Sequence, residues 1–172
     1  MDMKLKYTLF LALFLSLGFF TSCDDDDEDD IDFTATYPIS GTWSVTYSIE
    51  TAPGQFEPLA EHSELLIYNT AANVPTEVWV DDEGNFWDFK VKTPINIANL
   101  TFGGESLENM SYNSQVTITD GQVFLNAVEV NSIMRDSIYF RVSFSDDEDA
   151  EGNPDPFGTI YHVYGHRSTG FE

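Results

Sequence analysis

From position 40 to 50 the chain alternates with a period of two, Ser-Gly-Thr-Trp-Ser-Val-Thr-Tyr-Ser-Ile-Glu. Trp43, Val45, Tyr47 and Ile49 fall on one face, with Thr42, Ser44, Thr46 and Ser48 on the other. Successive side chains of an extended strand point to opposite sides, so the pattern predicts a strand with one face in a core. Segments 64–69, 76–81, 86–92, 95–102, 115–119, 122–130, 137–145 and 159–167 read as further strands. Residues 82–85, Asp-Glu-Gly-Asn, supply Gly and Asn for a turn, and Asp120-Gly121 predicts a two-residue hairpin turn. Segment 51–63, with Pro53, Gly54 and Pro58, is expected as a loop, as are 103–106 and 146–158. Segment 104–110 has room for one helical turn, and no stretch keeps helical periodicity over three turns. Eight or nine short strands between turn signals predict an all-β fold, an antiparallel sandwich or barrel. A closed barrel of about eight strands hides its edges and is just wide enough for one small ligand.

The start of the chain is of another kind. Lys4 and Lys6 precede a nearly all-apolar run from Tyr7 to Phe20, too short to span a bilayer core, which needs about 20 residues. This is the pattern of a signal peptide, expected over 1–22. Thr21 and Ser22 stand directly before Cys23, the only cysteine. The arrangement resembles a lipobox, with Phe20 where Leu is usual. It implies cleavage before Cys23 and a diacylglyceryl thioether on its sulfur, with the amine acylated. One acyl chain holds a protein only marginally, whereas two or three anchor it. Seven consecutive acids follow, from Asp24 to Asp30. Like charges in series repel and stay solvated, so 23–37 is expected to be a lipidated linker and 38–172 the β domain.

Composition narrows the partners. The formal charge is −23. Removing residues 1–22 takes away Lys4, Lys6 and Asp2, which leaves 5 bases against 29 acids. Such a surface repels nucleic acid, so no nucleic-acid partner is expected. A single cysteine excludes an internal disulfide and any paired-cysteine metal site. Aromatic residues make up 15% of the chain, enough to build a core.

Two motifs carry a resemblance. Gly41-Thr-Trp43 opening the first strand is similar to the Gly-x-Trp start of lipocalins, and the chain ends Gly165-His-Arg167-Ser-Thr-Gly170-Phe171. With the lipobox and the β pattern, the chain resembles the lipocalin-like surface lipoproteins of the Bacteroides type, the family of lipid-binding putative hydrolases. The resemblance covers about residues 38–171. It implies a lipocalin-like barrel, closed at one end by Trp43 with Arg167 packed on its ring, and it implies lipid anchoring in the outer membrane. Acids just after the lipidated cysteine resemble the surface-export address of that group, which implies exposure on the cell surface. Asp136-Ser137-Ile138 matches the short O-glycosylation acceptor pattern of the same bacteria and makes Ser137 a candidate.

The chain carries no sequence signature of catalysis. Gly-x-Ser-x-Gly, Gly-x-x-x-x-Gly-Lys and His-Glu-x-x-His are all missing. On one strand, His162 and His166 share a face about 13 Å apart, too far to chelate one ion; His62 stands alone. Asp88 and Glu129 lie in predicted strands and are the acids to weigh as a hydrolytic pair. Asp147, Asp149, Glu151 and Asp155 have the spacing of the start of a calcium loop, but Gly158 stands where an EF-hand needs a bidentate Glu, so an EF-hand is excluded and a weak β-loop calcium site is the candidate. No cofactor is expected.

The leading expectation is a membrane-tethered barrel that binds a small apolar or amphipathic ligand in an aromatic cavity. Its candidate lining is Trp43, Tyr47, Ile67, Trp79, Trp87, Phe89, Phe140 and Tyr164. A filled barrel acting as an accessory or glycan-binding module of an outer-membrane uptake complex is the first alternative. A hydrolase with a carboxylate or histidine pair inside the barrel is the second.

Overall fold

The computed structural model describes residues 33–170; the expected signal peptide, Cys23 and the acidic run lie outside the described residues, as do 171–172. Eight strands follow one another: β1 (Gly41–Ala52), β2 (Gln55–Asn69), β3 (Glu77–Asp81), β4 (Lys90–Asn96), β5 (Thr101–Glu108), β6 (Gln115–Val130), β7 (Ile133–Phe144) and β8 (Tyr161–Arg167). Each pairs antiparallel with the next, and β8 returns to β1 to close the barrel. The closing seam runs from Trp43 opposite Arg167 to Ile49 opposite Tyr161. The all-β fold is what the alternation predicted, the closed eight-stranded barrel is what the resemblance implied, and no helix occurs among the described residues.

Because strand direction alternates, the connections sort into two ends. The lower end carries the N-terminal segment 33–40, connections 70–76, 97–100 and 131–132, and residues 168–170. The upper end carries 53–54, 82–89, 109–114 and 145–160. Trp43, Val45, Tyr47, Leu65, Ile67, Val78, Val80, Phe140 and Val163 point inward and are essentially inaccessible. Each fully buried side chain of this size contributes about 1.5–3 kcal/mol relative to exposure. An eight-stranded barrel is narrow enough for such side chains to fill it. Here Phe102 and Phe140 meet edge to face across the lower half, with centroids 5.5 Å apart.

The lower end is locked by Arg167. Its guanidinium carbon stands 4.4 Å from the centre of the Trp43 ring. Its Nη atoms donate to the carbonyls of Ser40 and Pro38, and its Nε donates to Asp136 Oδ2 at 3.0 Å. The turn that supplies those carbonyls tucks Thr36 and Ile39 out of solvent.

Several local expectations are corrected. Segment 51–63 is not a loop: β1 and β2 continue outward as a protruding hairpin, because Pro53-Gly54 makes a two-residue turn with Gly54 at φ 75°. Asp120-Gly121 is not a hairpin turn but a bulge inside continuous β6, with Asp120 at φ 56° and the register slipping between Thr119 and Gln122. Gly121 is needed there because a Cβ would meet the Phe102 carbonyl and ring. Strand β4 begins at Lys90 rather than 86, the 95–102 segment bends at 97–100, and 103–110 lies largely in β5, not in a loop or helical turn. The β6–β7 turn is Asn131-Ser132, both at positive φ (51° and 64°), the mirror-image turn that matches strand twist.

Candidate functional site

The upper mouth of the barrel is plugged by rings. Tyr47 stacks on Phe86 with centroids 4.3 Å apart and planes 13° from parallel, and Trp87 stacks on Phe144 at 4.8 Å and 10°. Tyr161 meets Phe86 edge-on at 5.1 Å and Trp87 at 5.7 Å. Phe86 and Trp87 come from connection 82–89, whose shape is set by Asp82. That carboxylate is fully buried and accepts four backbone N–H bonds, from Gly84 and Phe89 on Oδ1 and from Phe86 and Trp87 on Oδ2, at 2.9–3.1 Å. A buried charge persists only where donors satisfy it, and these donors fold the chain back over the mouth. The Tyr47 hydroxyl below has no hydrogen-bond partner, and burial, then the Asp82 charge, pushes its pKa well above the ordinary tyrosine value.

The eight candidate lining residues separate into three places. Trp43, Tyr47, Ile67, Phe89 and Phe140 point inward and pack against one another with no accessible surface to speak of. Trp87 sits half-buried at the mouth. Trp79 and Tyr164 stand on the outer wall, because they alternate with inward Val78, Val80 and Val163. The face of Trp79 is covered by cations, with Lys90 Nζ 5.6 Å and Lys92 Nζ 5.4 Å from the ring centre. The inward aromatics thus fill the space in which an open cavity was expected.

The acids and histidines do not converge. Asp88 is exposed in the upper connection and Glu129 is exposed on the β6–β7 hairpin at the lower end, at opposite ends of the barrel. Asp147 accepts N–H bonds from Glu148 and Thr159, and Asp149 from Glu151 and Asn153, so both shape their own loop. The Asn153 bonds also hold the Asp149 carboxyl below its usual range. Glu151 and Asp155 point to solvent, and among the described residues no group of three or more His, Cys, Asp or Glu is arranged to hold a metal ion. His162 bonds the Tyr139 hydroxyl through Nδ1 at 2.9 Å and meets the Phe56 ring edge-on at 4.8 Å.

Among the cavities formed by the described residues, four hold about 340–490 Å³, and each includes outward-facing side chains. The one on the wall across β1, β8 and β7 holds about 460 Å³. Ser44 and Thr46 of β1, Ser137 and Tyr139 of β7, and Tyr164 and His166 of β8 border it, with His62 at one side and Phe124 and Val128 of β6 at the other. Its floor is Gly165 with Val45 and Ile138, which face Gly165 across the two adjoining ladders. A Cβ on Gly165 would run into the Ser44 carbonyl, so only glycine lets β8 lie this close to β1. Among the described residues no acid lines this groove, whereas the other three cavities contain Glu50, Glu64, or Glu105 and Asp120. Its volume is within the range of about 300–1,000 Å³ of small-molecule sites. Candidate Ser137 is part of its border, so a sugar there would occupy the groove.

Residues 28–172 match the family described as "Lipid-binding putative hydrolase". The chain belongs to this family. No curated protein matches it. The family description and the closed barrel together support lipid binding by this chain. Reading the sequence alone missed both Asp82, which looked like one more turn acid, and Gly165, which looked like part of a terminal motif. The signal for Asp82 was its place two residues before Gly84, and its burial depends on backbone donors that no side-chain pattern reports.

Proposed function

We propose that this is a lipid-anchored protein of the outer membrane, displayed on the cell surface, that binds one chain of an amphipathic lipid in the wall groove beside Gly165. The observation that carries the reading is the acid-free groove itself. An aliphatic chain gains from the apolar floor of Val45, Ile138 and Gly165, and Tyr164 and Tyr139 offer ring faces and hydroxyls. A neutral or anionic headgroup meets the imidazoles of His62 and His166 and, among the described residues of the groove, no carboxylate. Cys23 supplies the tether in this reading and the acidic run a spacer.

The test is titration of the full-length acylated protein with a fluorescent fatty acid. Tyr164 is exposed, so Tyr164→Asp leaves the fold intact while putting a charge into the groove. A loss of at least about tenfold in affinity is expected, since an unpaired carboxylate against an apolar chain costs at least 1.4 kcal/mol. Undiminished binding overturns the groove assignment.

The packed interior favours a second reading, a filled barrel serving as accessory module of an uptake complex. Failure of the wild-type protein to bind any amphiphile, together with its recovery in a complex with an outer-membrane transporter, selects that reading.

A further inference from the structure

The two ends of the barrel differ in charge and in apolar exposure. No acid occurs in any lower-end connection: 33–40, 70–76, 97–100, 131–132 and 168–170 are free of Asp and Glu. Upper connections 82–89 and 145–160 hold nine between them. The β6–β7 hairpin also reaches past the lower rim. Strand β5 leaves β6 at Gln122, β8 leaves β7 at Ser137, and the strands continue as a two-stranded ribbon to the Asn131-Ser132 turn. On this ribbon Phe124, Leu125, Ile133 and Met134 are 47–58% exposed. Phe33 and Tyr37, with ring centroids 3.9 Å apart and planes tilted by 31°, are both more than half exposed and stand at the same end, where the described chain begins.

We propose that the lower end, led by the β6–β7 hairpin, seats on the surface of a neutral phospholipid bilayer. The inference rests on the reading of Cys23 as lipid anchor. Nine residues lie between Cys23 and Phe33, so the ten steps of chain span at most about 36 Å. The anchor therefore keeps the end at which the chain emerges within reach of the membrane. The charge partition then decides which end turns inward. Seating the acid-rich upper end would strip water from its carboxylates, and its own exposed apolar residues Phe56 and Leu59 are interleaved with Glu57 and Glu61. The lower end offers apolar side chains with no acid in its described connections, Glu129 opposite Met134 being an exposed acid on the ribbon itself, and a bilayer interface accepts Phe, Leu, Ile and Met at shallow depth. The seven acids of the linker favour neutral over anionic lipid. Phe124 belongs to both the ribbon and the wall groove, so this seating also puts the groove beside the lipid it is proposed to bind.

The experiment uses the full-length acylated protein in vesicles of phosphatidylcholine and phosphatidylethanolamine. An environment-sensitive fluorophore is attached at position 134 (Met134→Cys) or, as control, at position 153 (Asn153→Cys) in the acidic upper loop. Flotation with the vesicles, a blue-shifted emission at 134 that lipid-borne nitroxides quench several-fold, and no change at 153 are expected. Flotation with a water-like signal at 134 overturns the seating and leaves the anchor standing. Absence of flotation, or labelling of wild-type protein at Cys23, removes the anchor and the seating with it. A blue shift that arises without vesicles and grows with protein concentration assigns the ribbon to a second copy of the chain and also overturns the proposal. Leu125→Glu and Ile133→Glu, both on exposed positions, are expected to abolish the shift at 134 without loss of flotation.

Discussion

Arg167 fills the space that Gly41 leaves empty: a Cβ at Gly41, whose φ is 149°, would collide with the guanidinium that packs over Trp43. The first and last strands are thereby fastened at the lower end by a planar cation that lies on a ring, donates to two carbonyls and pairs with Asp136. Arg167→Ala removes all four interactions and is expected to cost about 2–4 kcal/mol, read as a lower urea midpoint at unchanged m-value. Arg167→Lys keeps the charge but not the fork, and should recover less than half of that loss. Gly41→Ala should resemble Arg167→Ala, because its Cβ displaces the guanidinium from the same contacts.

Asp82 makes a second expectation concrete. Four N–H groups converge on one buried carboxylate, so Asp82→Asn, which turns a donor toward some of them, should destabilise by about 3 kcal/mol. Loosening connection 82–89 also exposes Trp87, which gives the loss its own signature. Tryptophan emission should shift to longer wavelength below the global unfolding transition, and acrylamide should quench it more strongly.

How much of this was legible in the residues follows from what alternation can report. Trp43, Val45 and Tyr47 announced the first strand, and their inward burial is a direct consequence of period two. The closure of β8 on β1 had no local signal; it entered only through the resemblance carried by Gly41, Trp43 and Arg167. Asp120-Gly121 shows the limit from the other side. Positive φ at an Asp-Gly pair fits a hairpin turn and a bulge equally well, and the choice is made by Phe102 on the neighbouring strand. Likewise Trp79 and Tyr164 carry the same residue types as the core, and only the parity of Val78, Val80 and Val163 turns them outward. The groove could not be read at all, since it joins β1, β2, β6, β7 and β8 through a glycine.

Tyr47 gives a dependence on pH. Its pKa is raised above the unfolded value of about 10, by burial first and by the Asp82 charge second. The folded state therefore keeps a proton that the unfolded state gives up. The stability involved is fully present below pH 10 and is lost above it, with a slope approaching about 1.4 kcal/mol per pH unit. Tyr47→Phe removes this slope along with a buried hydroxyl that has no partner, so it should be neutral or stabilising at pH 7 and flatten the alkaline limb. Tyr68, Tyr112, Tyr139 and Tyr161, also raised chiefly by burial, leave a shallower residual slope. Urea midpoints for both proteins between pH 8 and 11 decide it; equal slopes would assign the alkaline loss elsewhere.

Trp87 separates a wall site from a mouth site. A ligand entering along the barrel axis must displace Phe86 and Trp87 from their stacks on Tyr47 and Phe144, whereas a ligand in the groove beside Gly165 touches neither ring. Trp87→Ala deletes one stacked pair from a half-buried position and should cost about 2–3 kcal/mol, below the range for a fully enclosed tryptophan. It also opens apolar volume at the mouth, so small aromatic molecules should begin to raise the melting temperature of this variant and not of the wild type. Affinity for a fluorescent fatty acid should stay within about twofold of wild type, because the groove is unchanged. A severalfold gain in Trp87→Ala would instead mean that the plug competes with the ligand, and would move the site from the wall of the barrel to its mouth.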